Sequence, residues 1–213
     1  MNAADVIVVG AGPVGLLVAA ELRLGGAEVI VLEQLPAPTG ESRASQLNAR
    51  TMEIYDQRGI LDRVGRPPRE TTGHFGGLPM AVDRTTTSVY SGYWKVPQFE
   101  TEAMLAGWAT ELGADIRRGH RVRNLRQRDG EVLVDADGPG GPVRLGAAFV
   151  VGCDGERSVV RQRAGFEFPG ADTTRELLRA DVSGIEIRDR RFERTDTGMS
   201  VAWRRPDGVT RVM

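Results

Sequence analysis

The sequence is poor in the side chains that most often carry metal or disulfide chemistry. It holds one cysteine, one lysine and two histidines in 213 residues. A lone Cys153 excludes an internal disulfide and suits a reducing compartment. His74 and His120 have no Cys, His or carboxylate at ligand spacing, so no metal site is expected. The formal net charge of −1 removes any global electrostatic argument for nucleic acid or membrane surfaces. The basic run Arg117 to Arg128 reads as the solvated face of a hairpin. No apolar run approaches the length that spans a bilayer. The apolar N-terminus carries Asp5 and lacks the basic flank of a signal peptide. A soluble, cytoplasmic chain with room for one good core or two small ones is expected. No Ser–His–Asp arrangement or paired-carboxylate signature stands out.

Glycine, by contrast, is plentiful, and its placement organises the chain. Val6 to Val9 is a β-branched run that reads as a strand buried on both faces of a parallel sheet. It enters Gly10-Ala11-Gly12-Pro13-Val14-Gly15, then a helical stretch from Leu16 to Leu24 that Gly25-Gly26 stop. Glu28 to Leu32 form a second apolar strand, ending at Glu33. Gly10 allows the tight turn, Gly12 lets backbone approach a pyrophosphate, and Gly15 lets helix and strand pack closely. The helix N-terminus offers unpaired N–H groups and the positive end of its dipole. Glu33 stands where an acid can accept hydrogen bonds from ribose hydroxyls. Strand, glycines, helix, second strand and terminal acid in register point to a dinucleotide-binding turn.

Further along, residues 48–58 show helical spacing with Gly59 as a C-terminal stop, and 60–64 continue as a short turn. Residues 71–96 change texture: Thr, Gly and aromatics alternate as in β-hairpins. A helix is expected over 100–112, capped by Thr101, then a short strand at 115–117. Residues 121–128 and 131–136, joined at Asp129-Gly130, read as a hairpin with a primed turn. Residues 143–145 and 147–152 read as two strands, followed by Cys153-Asp154-Gly155 and a helix over 158–164. Strands are expected at 177–182, 192–194, 199–203 and 209–213. The last runs into Met213 with no capping element after it.

Four segments in this order resemble the single-component flavin-dependent aromatic hydroxylases, the class A FAD monooxygenases. They are GAGPVGLLVAAELRLGGAEVIVLE, GESRASQLNARTMEIYDQRGILDRVG, VPQFETEAMLAGWATELGADIRRGHRV and FVVGCDGERSVVRQRAGFEFPG. The nearest likeness is to the branch acting on aromatic polyketides in antibiotic biosynthesis. The resemblance implies an α/β fold: a Rossmann-like, three-layer, glutathione-reductase-like FAD-binding domain (1–70 and 97–170) with an inserted, mainly β substrate lobe (71–96 and 171–213).

By the same resemblance, Gly10, Gly12, Pro13, Val14 and Gly15 would cradle the FAD pyrophosphate. Glu33, with Gln34 where relatives often carry Arg, would hold the adenosine end. Arg43 would lie beside the flavin, Gln98 near the ribityl chain, and Val122 would meet the adenine through its backbone. Asp154 and Gly155 would form a second fingerprint serving FAD and the passing NADPH or NADH, which requires Asp154 near the mouth of the glycine turn. Asp154 could instead simply cap the helix that follows it. His74, Tyr90 and Trp94 could line a substrate cavity, or be plain hairpin and core residues. The implied reaction consumes O2 and hydroxylates the substrate through a C4a-hydroperoxyflavin. Baeyer–Villiger oxygenation is the runner-up, and an NAD-dependent dehydrogenase or a non-catalytic nucleotide-binding piece is more distant. The family's third fingerprint, a Gly-Asp pair near the ribitol, is absent, as is the remainder of the substrate sheet, so the resemblance implies the N-terminal part of a longer enzyme.

Overall fold

The computed structural model describes residues 4–40, 44–75, 78–82, 87–171, 173–174, 176–187, 191–205 and 208–213. In chain order the elements are β1 (Ala4–Val9), α1 (Pro13–Leu24), β2 (Val29–Glu33), β3 (Leu47–Asn48), α2 (Ala49–Gln57), a 3-10 turn (Leu61–Val64), β4 (Arg69–Glu70), β5 (Thr72–Phe75), β6 (Leu78–Ala81) and β7 (Tyr93–Trp94). There follow α3 (Gln98–Glu111), β8 (Asp115–Arg118), β9 (Arg121–Arg128), β10 (Glu131–Gly138), β11 (Gly141–Gly152), α4 (Val159–Arg163), β12 (Ala180–Val182), β13 (Arg191–Thr195), β14 (Gly198–Arg204) and β15 (Thr210–Val212). They fall into two compact units, 1–69 with 94–168, and 70–93 with 169–213.

The first unit is built on a six-stranded sheet in the order β8-β2-β1-β11-β10-β9. β8, β2, β1 and the end of β11 run parallel, while β11, β10 and β9 form an antiparallel meander. The unbroken apolar runs of β1 and β2 follow from burial on both faces. Val6, Val8, Val29 and Val31 pack with Leu16, Ala19 and Ala20 of α1 and Leu105, Trp108 and Ala109 of α3. The alternate residues Ile7, Val9, Ile30 and Leu32 pack with Val122, Val134, Ala136 and Ala147 of the meander. Two cores thus share one pair of strands, giving three layers. Full burial of Ile7, Leu16, Leu32 and Leu105 stabilises this arrangement by about 1.5–3 kcal/mol per side chain.

β11 is the hinge between layers. Its first half pairs with β10 and its second half with β1, the exchange falling at Ala147. Two separate strands were expected there; Gly146 does not interrupt the strand because its backbone stays in register with Leu133. Other expectations also shift. α1 begins at Pro13, not Leu16, since proline fits the first helical position. α3 begins at Gln98 with Pro97 as its cap, and Thr101 lies buried inside the helix, its N–H donating to Pro97 O at 3.2 Å. The 129–130 turn is not a primed one: Gly130 has φ +74°, but Asp129 stays at negative φ.

In the second unit β5 and β6 form a hairpin, and β12-β15-β14-β13 form an antiparallel sheet. Leu177 and Leu178, expected in a strand, are exposed and precede β12. The expected β segment over 85–89 lies partly outside the described residues, and Thr87 and Ser88 are not in a strand.

Candidate functional site

The glycine turn joins β1 to α1 at the end where the parallel strands finish. Gly10 has φ +103°, a conformation other residues resist, and its N–H donates to Leu32 O at 2.8 Å. A Cβ on Gly10 would strike the carbonyl of Cys153 and lie 3.1 Å from Cα of Asp154. A Cβ on Gly15 would strike the Gly10 carbonyl and lie 3.2 Å from Cβ of Cys153. The position of a Cβ on Gly12, by contrast, has no atom within 4 Å. Gly12 is also the N-cap of α1 and makes no side-chain cap hydrogen bond. Two glycines are therefore close-packed and the middle one faces open space, with the first-turn N–H groups of Val14 and Gly15 beyond it. That is the shape and polarity a diphosphate requires.

The β1–β11 pairing brings a distant segment to this turn. Val9 and Gly152 are in register, and Cys153 N–H donates to Val9 O at 2.8 Å. Asp154 follows at once. Its carboxylate accepts Ser158 Oγ–H at 2.5 Å and the N–H groups of Val159 at 2.6 Å and Val160 at 3.2 Å. Ser158 is the N-cap of α4, accepting Arg161 N–H at 2.9 Å. Asp154 thus does cap the following helix, while its backbone borders the turn. Gly155 is exposed at φ +81°. Burial, and secondarily the Asp154 charge, pushes the Cys153 thiol above its usual range.

Glu33 ends β2 beside the turn. One carboxylate oxygen accepts the N–H of Ala11 and the other that of Leu35, each at 2.8 Å. Its backbone carbonyl accepts His120 N–H at 2.8 Å, which draws the β8–β9 connection to the strand end. Gln34 is exposed next to it. Val122 turns its side chain into the core of the meander layer and pairs with Ala136 where the register shifts. His120 lies between β8 and β9, with Nδ1 2.9 Å from Arg118 O.

Arg43 lies outside the described residues. Gln98 stands at the start of α3 and grips the segment after it: its N–H donates to Ala44 O and its Oε1 accepts Ala44 N–H, each at 3.1 Å. Its amide Nε2 donates to Glu102 at 2.8 Å. His74 sits exposed in β5 and Tyr90 half-buried in a turn, both in the second unit. Trp94 belongs to the first unit, with the Arg69 guanidinium 5.9 Å from its ring centroid.

The contacts of Glu33 to Ala11 and of Gln98 to Ala44 escaped sequence reasoning, because no spacing rule connects those pairs. The cap of α4 by Asp154 was legible in the sequence as one of its two readings; the share of Ser158 in it was not. Among the described residues no group of His, Cys, Asp and Glu could hold a metal ion, and no helix is long and apolar enough to cross a membrane.

Residues 3–209 match the FAD binding domain family. This chain is a member of that family. Among curated relatives it is 40% identical over 210 residues to the 12-dehydrotetracycline 5-monooxygenase/anhydrotetracycline 6-monooxygenase of Streptomyces rimosus subsp. rimosus, covering 97% of this chain and 40% of the relative. It is 45% identical over 181 residues to the rifampicin monooxygenase of Streptomyces venezuelae, covering 84% of this chain and 37% of that one. Among solved structures, CabE, an aromatic hydroxylase from angucycline biosynthesis, superimposes with a TM-score of 0.92 at 49% identity, over 100% of this chain and 43% of that one. The chain spans about two fifths of the length of these curated relatives.

Proposed function

We propose that this chain is the FAD-holding part of a flavin-dependent monooxygenase that uses NADPH or NADH and O2 to hydroxylate an aromatic polyketide. The observation that carries the reading is the open glycine turn with Asp154 beside it, in a chain whose relatives bear monooxygenase names. Bound FAD would supply the redox chemistry, taking electrons from the nicotinamide and activating oxygen.

The chain's own residues bind and orient. Gly10, Gly12, Pro13, Val14 and Gly15 receive the pyrophosphate through close backbone approach and the α1 N-terminus, in the manner of a Rossmann-type turn. Glu33 and Gln34 face the adenosine ribose, and the backbone near Val122 faces the adenine. Asp154 keeps α4 capped and, with Gly155, borders the phosphates. Arg43 and Gln98 serve the flavin side, Gln98 by holding Ala44. The second unit supplies substrate contacts, with His74, Tyr90 and the neighbouring Trp94 as candidates. The cytoplasm suits the single free thiol.

FAD titration followed by quenching of flavin fluorescence tests the cofactor. The purified protein is expected to bind FAD and turn yellow, and to consume reduced nicotinamide and O2 in step with hydroxylation of a polycyclic phenol. Colourless protein that binds NAD tightly and ignores FAD would overturn the reading.

A further inference from the structure

A carboxylate has about four acceptor positions, and Glu33 uses two of them within its own chain. Oε2 takes the N–H of Ala11, the residue between Gly10 and Gly12, and Oε1 takes that of Leu35, both at 2.8 Å. Ala11 itself is 4% exposed. The strand end that carries Glu33 is itself anchored, its carbonyl accepting His120 N–H and the neighbouring Leu35 carbonyl accepting Gly119 N–H at 3.1 Å.

We propose that Glu33 is a positioning residue for the glycine turn, holding the phosphate-facing backbone in its binding conformation before any nucleotide arrives. The turn needs such a tie. It has no side chain at Gly10 or Gly12 to fix it, and the position of a Cβ on Gly12 has no atom within 4 Å. A charged acceptor on the residue between them supplies that tie, at the strength of an ion-assisted hydrogen bond. The two acceptor positions left over remain available to a ribose, so the roles coexist on one side chain. A glutamine substitutes only in part: its amide oxygen is neutral and can accept one of the two N–H groups, while its NH2 then faces the other.

This proposal rests on the FAD reading, and the test separates the two. A ligand without ribose discriminates, because a residue that only binds ribose is indifferent to it. Inorganic pyrophosphate and FAD would be titrated into the parent chain and Glu33→Gln. Both are expected to bind the variant about tenfold more weakly. Pyrophosphate affinity unchanged while FAD weakens would confine Glu33 to the ribose and overturn the proposal. Hydrogen exchange of the nucleotide-free parent chain supplies a second arm that needs no variant. The Ala11 and Leu35 amides are expected to exchange slowly, and exchange at the rate of free loop amides would overturn the proposal. A parent chain that binds pyrophosphate with the same dependence on Glu33, yet ignores FAD, would support the positioning role and remove the flavin reading instead.

Discussion

Gly12 and Gly15 differ by three positions in sequence and oppositely in surroundings, which makes them a matched pair of perturbations. In Gly15→Ala the new methyl would meet the carbonyl oxygen of Gly10 inside contact distance, with its carbon at 3.0 Å and Cys153 Cβ at 3.2 Å. Two of these three atoms are backbone, so α1 must shift away from β1. Overpacking of this kind costs about 1–3 kcal/mol, here toward the upper end. The better helix propensity of alanine returns up to about 1 kcal/mol. The net loss of about 2 kcal/mol lowers the melting temperature by about 4–8 °C for a chain of this size.

The Cβ of Gly12→Val meets no atom within 4 Å, and the residue sits at φ −75°, a conformation any residue adopts. Its folding cost is that of a poorer N-cap, about 1 kcal/mol or less. The added side chain nevertheless fills the space a phosphate would occupy. Losing two charge-assisted contacts there weakens FAD by at least about a hundredfold. Thermal unfolding followed by circular dichroism, with FAD titration of each variant, reads both quantities. A Gly12→Val protein that binds FAD as tightly as its parent, or a Gly15→Ala protein that melts with it, would refute the division of labour between these glycines.

Three further outcomes follow from the same geometry. Arg23 donates to Leu112 O at 2.9 Å and Ala27 O at 2.7 Å, closing the C-terminal ends of α3 and α1 together; Arg23→Met should cost about 2–3 kcal/mol in urea unfolding. Thr210 is fully buried with a hydroxyl that has no hydrogen-bond partner, so Thr210→Val should leave stability unchanged or raise it by about 1 kcal/mol. The Arg211 guanidinium, with Arg205 and Arg179 nearby, holds the Asp181 carboxyl below its ordinary value of 3.8. That stabilisation is complete above the ordinary value and is lost as pH falls through the depressed one. Urea midpoints measured down the acid limb should decline less steeply in Asp181→Asn.

Much of the first unit is legible residue by residue. Val6 to Val9 and Val29 to Leu32 have no solvent face, so their composition alone marks buried strands, and Gly59 and Gly113 stop α2 and α3 where local chemistry requires. Boundaries near proline are harder to read. Pro13 and Pro97 look like breaks in sequence, yet each opens a helix, because a first-turn position needs no N–H. β11 is harder still. Gly146 resembles a strand break, and only its pairing with Leu133 on one side, just before Ala147 takes up β1 on the other, keeps the backbone extended.

The order of apolar runs, the three glycines and the acid at Glu33 were determined by the sequence itself, since helix period, strand alternation and turn sterics act over a few residues. That Asp154 comes to rest beside Gly10 was decided only in three dimensions, by β11 lying parallel to β1 and handing Cys153 to the carbonyl of Val9. The same holds for the carboxylate of Glu33 closing on Ala11 and for Gln98 closing on Ala44. Pairings between residues so far apart depend on which strands become neighbours when both cores close, and no local pattern encodes that choice.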